Sequence, residues 1–244
     1  MKLIIKVIII FLFTITLNAR ELGETEIITE DGIEVFQNEK FYLLKKNVKI
    51  ESDNFSLSAD EVKINFDKSL YDITELDANG SVDFYSKTFE LKGNGNFLNF
   101  EVKVEKVKVE GEGSELITKD IKMFSDGFIE VSNLNGDFFL KGINSKLINE
   151  NIIIEAENIN GNFSKDTDNN EITYLEVNDK KISYVKTNDT EMYAKEINFD
   201  NDTSIIELID DVIIIRNEEK ITGDYGTLDT RNNSYKIKSN NKNK

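Results

Sequence analysis

A chain of 244 residues with 46 acids, 30 bases and neither histidine, cysteine, proline nor tryptophan carries a formal charge of −16. Without histidine or cysteine, Ser-His-Asp triads, Cys-His dyads, imidazole or thiolate metal sites, disulfides and a lipidated-cysteine anchor are excluded. The acidic balance repels phosphate backbones and argues against nucleic acid as a partner, although it also serves simply as solubility in an extracytoplasmic space.

The chain opens MKLIIKVIIIFLFTITLNAR, with Lys2 and Lys6 ahead of an apolar run over 7–17 broken only by Thr14 and Thr16. That run is shorter than the roughly 18–20 apolar residues a membrane-spanning helix wants. A basic start, a short apolar centre and a polar finish at Asn18-Ala19 predict a secretory signal over 1–19, cut after Ala19. Leu17 stands where a small residue is usual, so an uncleaved anchor is the alternative. Taking Lys2 and Lys6 from −16 leaves residues 20–244 at −18. An exported chain without cysteine must stand on its own core, and about 225 residues suffice for one.

From Glu24 onward the dominant period is two, as in VKI (48–50), FSLSA (55–59), VKINF (62–66), VEKVKVE (104–110) and EITYLEV (171–177). Such alternation predicts half-buried antiparallel strands. Asp31-Gly32, Asn79-Gly80, Asp126-Gly127, Asn135-Gly136 and Asn160-Gly161 accept positive φ and predict tight hairpins. No stretch beyond about ten residues holds a 3.6 period, so helices should be few and short. No linker divides the chain, which predicts one elongated domain over 20–237 and a disordered polar tail over 238–244.

One figure recurs. Residues 47–69 align without a gap on 211–233: Val48 meets Val212, Ile50 Ile214, Leu57 Ile221, Ala59 Gly223, Asp60 Asp224 and Ile64 Leu228. A shift of 34 sets Val82, Phe89, Leu91 and Gly93 on Val48, Phe55, Leu57 and Ala59, and weaker copies lie at Ile154-x-Ala156 and Met192-x-Ala194. In each, an apolar residue, a spacer and a small residue precede two mostly polar positions, after which the alternation resumes on the opposite parity. Phe55, Leu57 and Ala59 are odd; Val62, Ile64 and Phe66 are even. A strand that changes parity keeps one face buried only by gaining a residue at a bulge or corner. The small residue lets backbones crowd there. Repetition predicts one unit stacked into a long sheet folded along a line of corners.

Asn47-Val48-Lys49-Ile50, Phe55-Ser56-Leu57-Ser58-Ala59-Asp60 and Val62-Lys63-Ile64 resemble the figure of the LptA/OstA-like family of periplasmic lipopolysaccharide-transport proteins. The closing Asp211-Val212-Ile213-Ile214, Lys220-Ile221-Thr222-Gly223-Asp224 and Asp229-Thr230 are similar to the same figure, while residues 95–190 follow the parity pattern without the clearer motif. The resemblance implies an all-β fold, a folded-over antiparallel sheet (β-jellyroll or β-taco), whose interior shelters the acyl chains of lipopolysaccharide. It also implies partners: an inner-membrane LptC-like and an outer-membrane LptD-like protein, with head-to-tail stacking through edge strands. The edge candidates are residues 26–36 and 234–238. The greater length and the absence of the family's Gly before Asn47 or Asp211 keep open a membrane-anchored, LptC-like role.

The candidate lipid-lining residues are Val48, Ile50, Phe55, Leu57, Val62, Ile64, Val212, Ile214, Ile221 and Leu228; the same set would equally make a filled sandwich core, or a structural, adhesive surface β-solenoid. Asp166-x-Asp168-x-Asn170 opens like a calcium loop but has Glu171 at position six and Val177 at position twelve, and Asp200-Asn201-Asp202 fails likewise. Glycines 93, 95, 111 and 113 lack the strand-loop-helix setting of a nucleotide site. The expectation is a non-enzyme that needs no cofactor and no metal, exported to the periplasm. Amino-terminal sequencing of the exported protein checks the first step: a start at Arg20 is expected for a free periplasmic protein, and an intact Met1 would establish the anchored form.

Overall fold

The computed structural model describes residues 24–118, 120–150, 152–164, 171–187, 189–232 and 234–239. The expected signal lies outside them, and of the expected polar tail Lys238 closes the last strand while 240–244 lie outside. The described chain is strand after strand: β1 (Glu26–Ile28), β2 (Ile33–Phe36), β3 (Phe41–Glu51), β4 (Phe55–Phe66), β5 (Ile73–Ser86), β6 (Leu91–Glu101), β7 (Lys106–Glu110), β8 (Ser114–Ile117) and β9 (Lys122–Ser125). It continues through β10 (Phe128–Ser132), β11 (Asp137–Asn149), β12 (Ile152–Phe163), β13 (Ile172–Lys186), β14 (Thr190–Asp200), β15 (Ile205–Arg216), β16 (Glu219–Asp229) and β17 (Ser234–Lys238). A single 3₁₀ turn, Val102–Val104, interrupts them.

All seventeen strands belong to one antiparallel sheet, as the period-two pattern requires. Most rungs are single long strands. The first is split into β1 and β2, both registered on β3. Two more are split into β8 with β7 and β9 with β10. At about 4.8 Å between neighbouring strands, the resulting stack of rungs is roughly 60 Å long.

Each long strand bends near its middle, where its register slips. Lys45 pairs with Glu61 and Val48 with Ala59, so Lys46 and Asn47 together face Asp60. Gly80 and Ser81 face Asn96 in the same way, and Asp210 and Asp211 face Asp224. Each of these three doublets has two consecutive positive φ angles, between 46° and 77°. The bulges grow in the middle of the molecule: residues 142–144 face Glu157, and 179–182 face Lys195. The strand that faces a doublet changes side-chain parity at the corner, whereas the bulged strand, with its one extra residue, keeps it, as β3 does in burying Leu44, Val48 and Ile50. β4 accordingly buries Leu57 and Ala59 and then Val62, Ile64 and Phe66; β12 buries Ile154 and Ala156 and then Ile159 and Phe163. Both halves thus turn their apolar side chains to the inside of the fold. We call the half containing residues 55–59 arm A and the half containing 61–66 arm B.

At the vertex a small residue pairs with the position just past the bulge: Ala59 with Val48, Gly95 with Val82, Ala156 with Ser145, Ala194 with Ser183 and Gly223 with Val212. Here the structure corrects the third repeat. Gly95, not Gly93, holds the vertex, two residues beyond the sequence alignment; Gly93 instead lies beneath the Phe84 ring, 2.6 Å from where its Cβ would be. The turn expectations are also corrected, since only Asn135-Gly136 closes a hairpin. Asp31-Gly32 and Asp126-Gly127 cross the corner between strands that run the same way, Asn79-Gly80 meets the β5 bulge, and Asn160-Gly161 is inside β12. Gly32 and Gly80 use positive φ at a corner as Gly136 does at a hairpin, whereas Gly127 and Gly161 serve close packing, a Cβ there meeting the Lys141 carbonyl and the Phe138 ring. The hairpin β15–β16 instead turns on Asn217 and Glu218, both at positive φ.

A side chain at Gly95 would meet Val109 Cγ1 at 2.5 Å and the Glu110 carbonyl at 2.9 Å. Gly95→Val should therefore destabilise the fold by about 1–3 kcal/mol through overpacking, whereas the exposed Lys49→Ala should stay within about 0.5 kcal/mol; urea unfolding of both measures the difference.

Candidate functional site

The vertex and the two arms enclose a single apolar cluster running from Leu44 to Leu228 along the whole stack. Eight of the ten candidate lining residues, Val48, Ile50, Leu57, Val62, Ile64, Val212, Ile214 and Leu228, face inward and are at most 6% exposed. Phe55 and Ile221 are only half-buried. Phe55 stands at the lip of arm A, where strand ends meet solvent and it packs on the cluster from outside. Ile221 stands at the carboxyl-terminal end of the stack. The ten residues therefore lie on the same inner surface but in two groups near opposite ends of the stack, 48–64 on β3 and β4 and 212–228 on β15 and β16.

The vertex contains a group that sequence reasoning missed. Ser114, Ser125, Ser145 and Ser183 are all 6% or less exposed, in the column where Val48, Val82 and Val212 stand elsewhere. Each hydroxyl donates to a main-chain carbonyl: Ser114 to Gly111 at 2.8 Å, Ser125 to Lys141 at 2.8 Å, Ser145 to Gly142 at 3.0 Å and Ser183 to Lys195 at 3.2 Å. Burial without such partners would cost about 1–3 kcal/mol each. A serine reads as a solvent position in a strand pattern, and only its pairing with Ala156 or Ala194 identifies it as inward.

Outside the vertex, charged side chains bridge neighbouring bulges. Lys46 reaches Asp31 at 2.9 Å, Lys180 reaches Glu157 at 2.8 Å and Lys195 reaches Asp211 at 3.0 Å. In each case the hydrogen bond to the carboxylate is the main reason the ammonium pKa lies above its ordinary value. These pairs are open to solvent and fix local geometry rather than stability. Inside, Tyr42 stacks on Phe66 at 6.2 Å, and burial pushes its phenol up.

Among the described residues, nothing caps the ends of the stack. β1 and β2 register only with β3, so the inward-facing Ile33 and Val35 are 50% and 48% exposed. At the other end β17 registers only with the arm B half of β16. There Ile214 and Ile221 of arm A and Tyr235 of arm B line a recess of about 220 Å³, with Arg216 beside it. Arg216 is held by Asp189 at 2.7 Å.

The lips differ along their length. In the amino-terminal half Phe89, in the β5–β6 turn on arm A, meets Phe100, at the arm B end of β6, edge to face with centroids 5.6 Å apart. Beneath them Phe55, Phe84, Leu91, Leu98 and Val107 enclose a cavity of only about 10 Å³, no more than one water would fill. In the carboxyl-terminal half a recess of about 450 Å³ lies between described lip residues, with Ile152 on one side and Ile172 and Phe199 on the other.

Among the described residues no group of three or more acids is placed to hold a metal ion. Asp166, Asp168 and Asn170 lie outside the described residues, and Asp200 accepts a hydrogen bond from the Asp202 amide in an ordinary turn. No described helix is long and apolar enough to cross a membrane.

Because Ile214 is 1% exposed and Ile221 lies at the open end, Ile214→Ala should cost about 2–4 kcal/mol and Ile221→Ala well under half of that, measured by urea unfolding. Equal costs would show that the end is sealed in solution.

No protein-family model and no curated protein sequence matches the chain. Among solved structures it is similar to the crystal structure of LptH, the LptA-homologous periplasmic component of the lipopolysaccharide transport device of Pseudomonas aeruginosa. The match has 13% identity and a TM-score of 0.38 and covers 45% of this chain and 76% of that one.

Proposed function

We propose that this chain is a periplasmic carrier in lipopolysaccharide transport, which shelters acyl chains between its two arms while sugars and phosphates stay in water. The observation that carries this is the ladder of corner bulges, which folds one sheet over a continuous apolar interior that no described residue caps at either end. The resemblance of residues 47–64 and 211–230 to the lipopolysaccharide-transport family supports the choice of lipid.

An acyl chain in water costs about 0.8 kcal/mol per exposed CH₂, so a carrier needs a long apolar surface rather than a compact hole. Here that surface is stored as contact between the arms. Loading separates them and exchanges arm-to-arm contact for arm-to-acyl contact, a substitution of one apolar surface for another. No bond is made or broken, and the drive for directional movement comes from a partner. The unpaired outer edges of β1, β2 and β17 are the surfaces through which LptC-like and LptD-like partners, or a second copy, would extend the sheet by strand addition.

Photo-crosslinking residues placed at Leu57, Ile64 and Ile221, with Lys49 and Lys63 as outward controls, test the carrier. The inward positions should capture lipopolysaccharide several-fold more than the controls, and equal capture would overturn the assignment.

A further inference from the structure

We propose that the outside of the vertex, at its two enlarged bulges, is a surface on which a second copy of this chain docks by a two-fold contact. The surface lies outside the fold and is independent of the lipid-carrying interior proposed above. Three corners are turned with a doublet, at 46–47, 80–81 and 210–211, so a doublet is enough to fold the sheet. β11 and β13 insert more, three residues at 142–144 and four at 179–182. Bulges re-aim side chains, and each of these turns an isoleucine outward. Ile143 is 84% exposed, more than any other aliphatic side chain among the described residues, and Ile182 is 37% exposed. Both line a recess of about 560 Å³ beside β12, together with Ala156, Tyr184 and Tyr193. The chain is described for at least two positions on either side of each of these five residues. The two tyrosine rings pack on each other across neighbouring strands, with centroids 4.9 Å apart. A projecting apolar side chain next to an apolar recess on one face is what a closed two-fold contact requires. Each copy offers both parts, so Ile143 of one enters the recess of the other and the reverse.

Charge selects a second copy as the occupant. A formal charge of −16 holds copies of this chain apart, so they can meet closely only where the surface is locally balanced. Residues 142–146, 155–157 and 179–184 set three lysines, Lys146, Lys180 and Lys181, against three acids, Glu155, Glu157 and Asp179. The chain's whole excess of acid therefore lies elsewhere, and a basic partner would be drawn there instead. Within the patch Lys146 reaches Glu155 at 2.7 Å and Lys180 reaches Glu157 at 2.8 Å. Asp179 accepts the Glu157 amide at 2.9 Å and the Lys181 amide at 2.6 Å. An apolar and tyrosine-lined centre with charged groups around it also matches the usual make-up of a protein interface.

Sedimentation velocity of the full chain over a range of concentrations tests this. A reversible equilibrium between monomer and dimer is expected. Raising the salt from about 0.01 M to about 0.1 M should strengthen the dimer, because it shortens the screening length from about 30 Å to about 10 Å and weakens the repulsion between two acidic copies. Ile143→Lys should weaken the dimer by at least about tenfold. Leu134→Lys makes the same change of charge at a site 57% exposed on the lip of arm B, and should leave the dimer unchanged. Circular dichroism confirms that each variant is folded, and both replaced side chains are exposed enough for that to be expected. A protein that stays monomeric at every concentration and salt would overturn the proposal. Self-association that Ile143→Lys leaves intact would overturn it as well, since the contact would then run through the strand edges at the ends or another face. Equal weakening by the two variants would reduce the effect to general charge and remove the assigned surface. All three of these results would leave the carrier function standing.

Discussion

Everything in this molecule depends on how a strand turns a corner without losing its buried face. Side chains alternate with a period of two, so a corner that keeps both halves facing inward takes a parity change in one strand, as in β4, β6 and β16, and one extra residue in its bulged neighbour, as in β3, β5 and β15, where parity is kept. Lys46-Asn47 against Asp60, Gly80-Ser81 against Asn96 and Asp210-Asp211 against Asp224 each supply that residue. One such bulge would be local irregularity. Aligned from rung to rung, they make a crease, and the crease converts a flat meander into two arms facing one another.

The crease also dictates composition. Backbones converge at the vertex, so Ala59, Gly95, Ala156, Ala194 and Gly223 are small, while strand ends diverge toward the lips, where Phe55, Phe89, Phe100 and Phe199 fill the wider gap. The buried serines fit the same geometry. Where the bulge grows to three or four residues, as at 142–144 and 179–182, Ser145 donates to the carbonyl of Gly142 in the bulge and Ser183 to that of Lys195, which faces it. The proposed function rests on divergence at the lips: in that reading a fold tight at its vertex widens like a book, and its apolar interior needs no new surface to meet an acyl chain.

Much of this was legible in the sequence because parity is a one-dimensional signal. The switch from Leu57 and Ala59 to Val62 and Ile64 is visible without coordinates, and it gave the folded-over sheet and the inward residues. Registers were less legible. Gly93 and Gly95 have the same parity and the same size, and only the pairing of Gly95 with Val82 distinguishes them. Asn-Gly and Asp-Gly pairs were ambiguous for two physical reasons: Gly32 and Gly80 give a corner the same left-handed backbone a hairpin asks for, and Gly127 and Gly161 are small for close packing instead. The contrast between the two halves of the seam could not be read at all, because it depends on which turns of arm A come opposite which strand ends of arm B.

The central claim is that the inward faces serve both as core and as lipid surface, so that loading must part the arms. Spin labels at Lys122→Cys on the lip of arm A and Leu134→Cys in the β10–β11 turn on the lip of arm B report the gap directly, and both positions are exposed. The distance distribution between them should shift outward when lipopolysaccharide is added and return when it is removed. An unchanged distribution at saturating, demonstrably bound lipid would contradict the account, because the lipid would then lie somewhere other than between the arms.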